Sequence, residues 1–270
     1  MRYEILGPLC IIDRGRRTSV GSRKVQTLLS TLLARADQLV TREQLITEIW
    51  GEHPPRRASA GLHVYVSQLR KALADGDTDG TPAGPSGGPV VTRASGYVLD
   101  VSDSEIDAQQ FTRLAEEGRQ QLREHRPEAA RATLRAALDL WRGPILDNLS
   151  PGPILDGYLT SLVETRLECQ ELLVESMLQL GRHRELIAPL QGLTAAHPLR
   201  EAFYRQLMLA LYRSERAGDA LQVFQVARRV LRDELGLEPC WALQDLQRGI
   251  LAADRVLDRV LDRVVLEVAA

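Results

Sequence analysis

The residues from Ala58 to Leu73, ASAGLHVYVSQLRKAL, carry the side chains whose types and spacing fit recognition chemistry. Leu62, Val66, Leu69 and Leu73 recur at i, i+4, i+7 and i+11, one narrow apolar stripe of a helix. Turned at 100° per residue, the opposite face presents Arg57, Ala60, Val64, Ser67, Gln68 and Lys71. A helix with a packed back and this front can enter a DNA major groove. There Gln pairs with a base edge, Val touches a thymine methyl, and basic residues meet phosphates. Most amphipathic helices simply cover a core, so the flanking elements decide the reading.

Those elements are legible. Tyr3–Leu9, Cys10–Asp13 and Arg17–Val20 read as short strands broken by Gly7-Pro8 and Gly15. A helix follows, with Val25, Leu28, Leu29, Leu32, Leu33 and Ala36 on one face and Ser22 as its N-cap. Arg23 and Lys24 stand in its first turn, where the helix dipole disfavours positive charge. Either a bound phosphate offsets that cost or both are solvated surface residues. A second helix starts at Thr41, where Thr41-Arg42-Glu43-Gln44 has the form of a capping box and Val40 can staple onto Leu45. Leu45, Ile46, Ile49 and Trp50 make its buried side, and Gly51 with Pro54-Pro55 stops it. Helix, helix, loop and longer helix is the order of a helix-turn-helix with an enlarged turn.

Residues 74–89 are rich in Gly, Pro, Asp and Ser and read as a mobile loop. Val90–Arg93 and Tyr97–Val101 then flank Ala94-Ser95-Gly96 as a hairpin, the position of a wing. Arg93 lies where a wing reaches a phosphate or the minor groove; its other reading is an exposed strand residue. The wheel places Arg70 beside the packed stripe, so it reaches a phosphate by snorkelling or pairs with an acidic neighbour.

Beyond Asp107 the strand pattern ends. Helices are predicted over about 107–124, 128–141, 155–180, 182–196, 199–213, 216–235 and 240–252, with Gly181 and Gly236 as C-caps. MLQLGRHRELI (177–187) echoes LYRSERAGDAL (211–221) at an offset of 34 residues, the period of tetratricopeptide-type helix pairs. Phe203, Leu207, Leu211, Leu221, Phe224 and Leu231 read as core, and Trp141 and Trp241 as packing residues. The repeated RVLD of the last residues (254–270) reads as an amphipathic helix or a frayed terminus.

Charge divides along the same line. The first 73 residues hold 12 Lys/Arg against 6 Asp/Glu, whereas residues 107–270 hold 21 against 24. A basic module joined to a mildly acidic one fits nucleic-acid binding. Cys10, Cys169 and Cys240 are far apart and read as buried free thiols, with neither a disulfide framework nor a zinc site. No cofactor is implied. The chain carries no G-x-x-x-x-G-K-[ST], H-E-x-x-H or G-x-S-x-G motif and reads as a non-enzyme. It has no apolar run of membrane-spanning length and no secretory h-region, which predicts a cytoplasmic protein.

The leading strands, TREQLITEIWG, VYVSQLRKAL and TRASGYVLDV together resemble the winged-helix domain of OmpR-type response regulators. ALDLWRGPILDNL, LGRHRELIAPL, HPLREAFYRQLMLALYRSERAGDALQVF and RRVLRDELGLEP are similar to bacterial transcriptional activation domains. That order resembles the Streptomyces antibiotic regulatory protein (SARP) family, over roughly residues 2–252. The resemblance implies an α+β OmpR-like winged helix-turn-helix over 1–103 followed by an all-α tetratricopeptide-like domain over 104–270. It implies an interface made of Arg23, Lys24, Thr41, Trp50, Arg57, Val64, Tyr65, Ser67, Gln68, Arg70, Lys71 and Arg93. In it Val64, Ser67 and Gln68 face bases, while Trp50, Arg70 and Lys71 serve the backbone. Many relatives place Arg where this chain has Gln68. The partners implied are direct-repeat DNA, a second protomer on it, and RNA polymerase with its sigma factor. The activity implied is activation of a secondary-metabolite gene cluster. The alternative is a helical scaffold or ligand sensor whose first domain binds DNA weakly or represses.

Overall fold

The computed structural model describes residues 1–74, 88–146 and 149–252. Residues 75–87 of the expected loop and the terminal RVLD repeats lie outside the described residues. The chain divides into two compact units. One comprises Met1–Arg113 with Ala137–Arg166, the other Leu114–Ala136 with the chain from Leu167 onward.

The first unit holds two small sheets around three helices. β1 (Arg2–Glu4), β2 (Cys10–Asp13) and β3 (Arg16–Thr18) form an antiparallel meander; β2 has the predicted bounds, whereas β1 and β3 begin one residue earlier than predicted and are shorter. Its second turn places Arg14 at φ 48° and Gly15 at φ 80°, the pair of positive φ angles a two-residue hairpin favours. A strand with no sequence signal, β7 (Glu105–Ile106), completes the order β3-β2-β1-β7 by pairing parallel to β1.

α1 (Arg23–Ala34) starts where Ser22 Oγ accepts the Val25 N–H, and it buries Val25, Leu28, Leu29, Leu32 and Leu33. α2 (Arg42–Trp50) starts on the expected capping box, with Thr41 and Gln44 satisfying each other's backbone N–H groups. Gly51 ends it at φ 61°. α3 (Ala58–Ala74) buries Leu62, Val66, Leu69 and Leu73, the stripe read from sequence.

β4 (Val40–Thr41), β5 (Val90–Thr92) and β6 (Gly96–Leu99) make the second sheet, in the order β4-β6-β5. The hairpin turns between Arg93 and Gly96, which exchange backbone hydrogen bonds. Gly96 also lies so close to β4 that a Cβ there would sit 2.0 Å from the Val40 carbonyl oxygen. Only glycine fits this crossing.

Residues from well beyond the wing complete this unit. Asp107, at the start of α4 (Asp107–Arg123), is buried and accepts the N–H groups of Ile5 (2.8 and 3.0 Å) and Leu6 (3.0 Å). Arg142 follows α5 (Pro127–Asp139) and meets Asp107 at 3.3 Å and the buried Glu4 at 3.5 Å. Arg17 reaches Glu4 at 3.0 Å. Two buried carboxylates are tolerable because arginines and backbone N–H groups surround them. Glu48 of α2 in turn caps α6 (Pro153–Gln179): its carboxylate accepts the N–H of Ile154 at 2.6 Å and of Leu155 at 3.3 Å. Negative charge at the positive pole of a helix is favourable. Trp141 is half-buried, edge-on to Phe111 and beneath the Arg166 guanidinium.

In the second unit, α7 (His183–Ala196), α8 (Glu201–Arg213), α9 (Ala217–Leu235) and α10 (Trp241–Leu251) pack with the later part of α6. Phe203, Leu207, Leu211, Phe224 and Leu231 are buried, and Leu221 packs half-buried against them. Gly181 and Gly236 take the left-handed conformation their cap positions require, at φ 73° and 70°. The echo read from sequence is a repeated turn. Gly181 and Glu215 both have positive φ, and the next residues, Arg182 and Arg216, donate back to Met177 and Leu211 carbonyls at 3.0 and 2.9 Å. His125 and Arg126 form a third copy, with Arg126 donating to Gln121 at 2.9 Å.

Trp241 and two of the three thiols depart from the positions their residue types predict. Trp241 is 67% exposed at the start of α10 rather than packed. Of the three free thiols only Cys169 is buried, and burial pushes it up to about 12; Cys10 is half-buried and Cys240 exposed. Position within a helix end, rather than residue type, leaves Trp241 and Cys240 outside the core.

Gly96→Ala is expected to destabilise the first unit by about 3 kcal/mol, because backbone rather than a movable side chain occupies the Cβ position. Thermal unfolding, followed as two transitions where the units melt separately, checks it.

Candidate nucleic-acid interface

Burial divides α3 into a back, a front and two flanks. The front carries Ala60, Val64, Ser67, Gln68 and Lys71, all exposed, with Val64 at 53%. Arg57, in the turn before the helix, is exposed in line with them. These are the residues that sequence reasoning placed opposite the apolar stripe.

One flank is held by the other two helices. Tyr65 packs against Trp50 at the end of α2, with ring centroids 5.7 Å apart. Gly61, one turn earlier, allows the indole to approach, since a Cβ there would lie 3.2 Å from it. Lys24 Nζ lies 5.0 Å from the Trp50 ring centroid and 6.0 Å from that of Tyr65. The aromatic faces thus give Lys24 some of the negative partner its place in the first turn of α1 calls for, worth about 0.5–1 kcal/mol. Arg23, beside it, is exposed.

The opposite flank is held by the wing. Arg70 donates to the Val90 carbonyl through Nε (3.1 Å) and Nη2 (2.8 Å), and to Thr92 Oγ1 at 2.7 Å. It therefore meets β5 rather than an acidic neighbour. Two turns earlier, His63 Nδ1 and the Tyr97 hydroxyl of β6 are hydrogen-bonded at 2.9 Å. Thr41 is half-buried and holds its capping hydrogen bond, and Arg93 is exposed at the wing tip.

Ten of the twelve expected interface residues thus gather on or beside α3, or in the helix ends that brace it, while Thr41 and Arg93 belong to the wing sheet and its turn. Sequence reasoning missed His63 and Tyr97. The chain contains no local signal for their pairing, because 34 residues separate them. Their only trace was that His63 interrupts the apolar pattern beside the stripe. Among the described residues no group of three or more His, Cys, Asp or Glu is arranged to hold a metal. No helix among them is long and apolar enough to cross a membrane.

The winged helix-turn-helix, with the front of its third helix exposed among the described residues, and the helical unit that follows give the protein the architecture of a transcriptional regulator. Residues 17–81 match the family described as transcriptional regulatory protein, C terminal, and residues 106–251 match the bacterial transcriptional activator domain. The chain is 38% identical to the regulatory protein DnrI of Streptomyces peucetius over 96% of its own length and 94% of that protein's. It is 40% identical to the regulatory protein AfsR of Streptomyces coelicolor over 95% of its length, but spans 25% of AfsR. A solved structure of Mycobacterium tuberculosis EmbR, in complex with a low affinity phosphopeptide, matches with a TM-score of 0.88 at 31% identity. That match covers 99% of this chain and 68% of the EmbR chain. The chain belongs to the SARP family of transcriptional activators.

Arg70→Met keeps the aliphatic stem and removes the hydrogen bonds to β5. It is expected to cost about 1–2 kcal/mol and to speed amide exchange in β5 and β6 relative to α1. Hydrogen exchange of the two proteins side by side checks it; unchanged protection of the hairpin would show that other contacts hold the wing.

Proposed function

We propose that this protein is a sequence-specific DNA-binding activator of a secondary-metabolite gene cluster, reading direct repeats near the promoter and recruiting RNA polymerase with its sigma factor. The observation that carries the DNA-binding reading is the front of α3. Five exposed side chains, Ala60, Val64, Ser67, Gln68 and Lys71, form one strip on a helix whose back is packed and whose flanks are tied to α2 and to the wing. Their chemistry suits a groove: a methyl-bearing residue, a hydroxyl, an amide and a cation, with Arg57 at the strip's start.

In this reading α3 lies in the major groove. Val64, Ser67 and Gln68 face bases. Arg57 and Lys71 meet phosphates, with Arg23, Lys24, Trp50 and Tyr65 along one bordering backbone. Arg93, at the wing tip, reaches the adjacent phosphates or minor groove. Thr41 and Arg70 hold the elements that carry these contacts. The tetratricopeptide-like helix pairs of the second unit hold a neighbouring protomer or face polymerase, and the protein works in the cytoplasm on chromosomal DNA. The likeness to DnrI and AfsR, both regulatory proteins, supports the regulatory part of this reading.

Arg57→Ala with Lys71→Ala is expected to weaken binding to every duplex. It should also lower the slope of log affinity against log salt by about 1.8, since each phosphate contact contributes about 0.9. Titration of labelled duplex at several salt concentrations measures this, and an unchanged slope would remove both residues from the interface. Gln68→Ala is expected to cost about 1–3 kcal/mol of discrimination between preferred and scrambled sites, with little loss on scrambled DNA. Selection of bound sequences from a random pool, followed by footprinting on genomic DNA, checks this and reveals the repeat spacing.

A further inference from the structure

The hydrogen bond between His63 and Tyr97 does more than join α3 to the wing. The Tyr97 side chain is 1% exposed, and a buried hydroxyl hydrogen needs an acceptor. Among the described residues the hydroxyl's partner is His63 Nδ1, at 2.9 Å, and the bond satisfies that hydrogen when the hydroxyl is the donor. A ring nitrogen that accepts carries no hydrogen, so the neutral imidazole holds its hydrogen on Nε2, the tautomer being set by the bond at the other nitrogen. His63 is itself exposed. Its ring is therefore anchored at one edge and offers a single N–H donor at the other.

The place of that donor follows from the helix wheel. Val64, Ser67 and Lys71 mark the front of α3, and His63 lies about 100° from Val64, toward the wing. A helix about 10–12 Å across fills a major groove about 12 Å wide, so its front meets base edges and its flanks meet the two bordering backbones. Trp50, Tyr65 and Lys24 stand on one flank. On the other, Arg70 is turned to β5, and His63 stands exposed between the front and the wing.

We propose that His63 is a DNA-contacting residue, donating from Nε2–H to a backbone phosphate oxygen on the wing side of the groove, with Tyr97 as the positioning residue that fixes the ring. This rests on the reading that α3 enters the major groove. The contact is a neutral donor on an ionised acceptor, so it adds affinity without releasing a counterion. It is independent of sequence, since every phosphate offers the same oxygens.

The test uses the full chain and a 30-base-pair duplex of arbitrary sequence, titrated at several salt concentrations. His63→Asn keeps an acceptor near the Nδ1 position and removes the outer donor. His63→Gln places an amide N–H near Nε2. Tyr97→Phe releases the ring without touching it. The expected result is a loss of about tenfold for His63→Asn with an unchanged salt slope, substantial recovery in His63→Gln, and an intermediate loss for Tyr97→Phe. Melting curves of all three accompany the titrations. His63→Asn binding as tightly as wild type would overturn the proposal. So would equal losses in all three variants, which would make His63 a brace for the wing and not a contact. A reduced salt slope in His63→Asn would also overturn it, by showing a cationic contact. Should the wild-type chain itself fail to bind duplex in a salt-dependent way, the underlying groove reading fails instead, and the two failures are distinguished.

Discussion

Rotation of α3 about its own axis is the constraint on which the candidate interface depends. Successive residues are 100° apart, so a roll of about 50° would exchange the strip of Val64, Ser67 and Gln68 for a flank. An apolar back alone sets that angle loosely, because a stripe of leucines tolerates small rolls. Here the angle is held from both sides. Tyr65 and Gly61 meet Trp50 on one flank, while His63 and Arg70 reach Tyr97, Val90 and Thr92 on the other. The two wing-side ties are two helical turns apart and so fix tilt as well as roll. The side chains between these flanks need make no contact within the protein, and that freedom leaves them open to a partner.

The same logic of distant ties governs the rest of the first unit. β1 and the loop after it are anchored by Asp107 and Arg142, which lie more than 100 residues further along the chain. The carboxylate of Asp107 is buried yet fully engaged, and Arg142 adds a link to Glu4, itself held by Arg17. Removing one partner from such a group would leave a buried charge without compensation, which is costly by several kcal/mol. The small N-terminal sheet, with strands of three or four residues, owes its order to these side chains as much as to its ladder.

The sequence was most readable where structure is local. Ser22, the Thr41–Gln44 box, the stripe of α3 and the glycine caps at 181 and 236 each depend on residues a few positions apart, and all form as read. The helices after residue 107 follow their periodicity to within a few residues. Long-range pairing left no comparable mark. β4 and β7 are two residues long, and what makes them strands is a partner elsewhere, Gly96–Tyr97 for one and Arg2–Tyr3 for the other. The front of the candidate interface was legible because it is the complement of an apolar stripe. The flanks were not: Arg70 could be placed beside the stripe, but its bond to β5 depends on how the wing folds back. Trp241 shows the opposite error, a residue type that usually packs standing at an exposed helix start.

Glu48 gives the molecule a property of its own. It belongs to the middle helix of the winged unit, yet its carboxylate caps the first turn of α6, more than 100 residues later. Together with Asp107 and Arg142 it stitches late sequence into the early domain. The order of the chain therefore differs from the order of assembly: the ribosome delivers the winged segment long before the residues that complete it. A reader-domain cassette cut after the wing and grafted onto another activator would carry Glu48 and the β1 loop without their partners. The transferable piece is the noncontiguous one, and in this protein evolution by simple end-to-end shuffling would have to preserve a junction that lies in space, not in sequence.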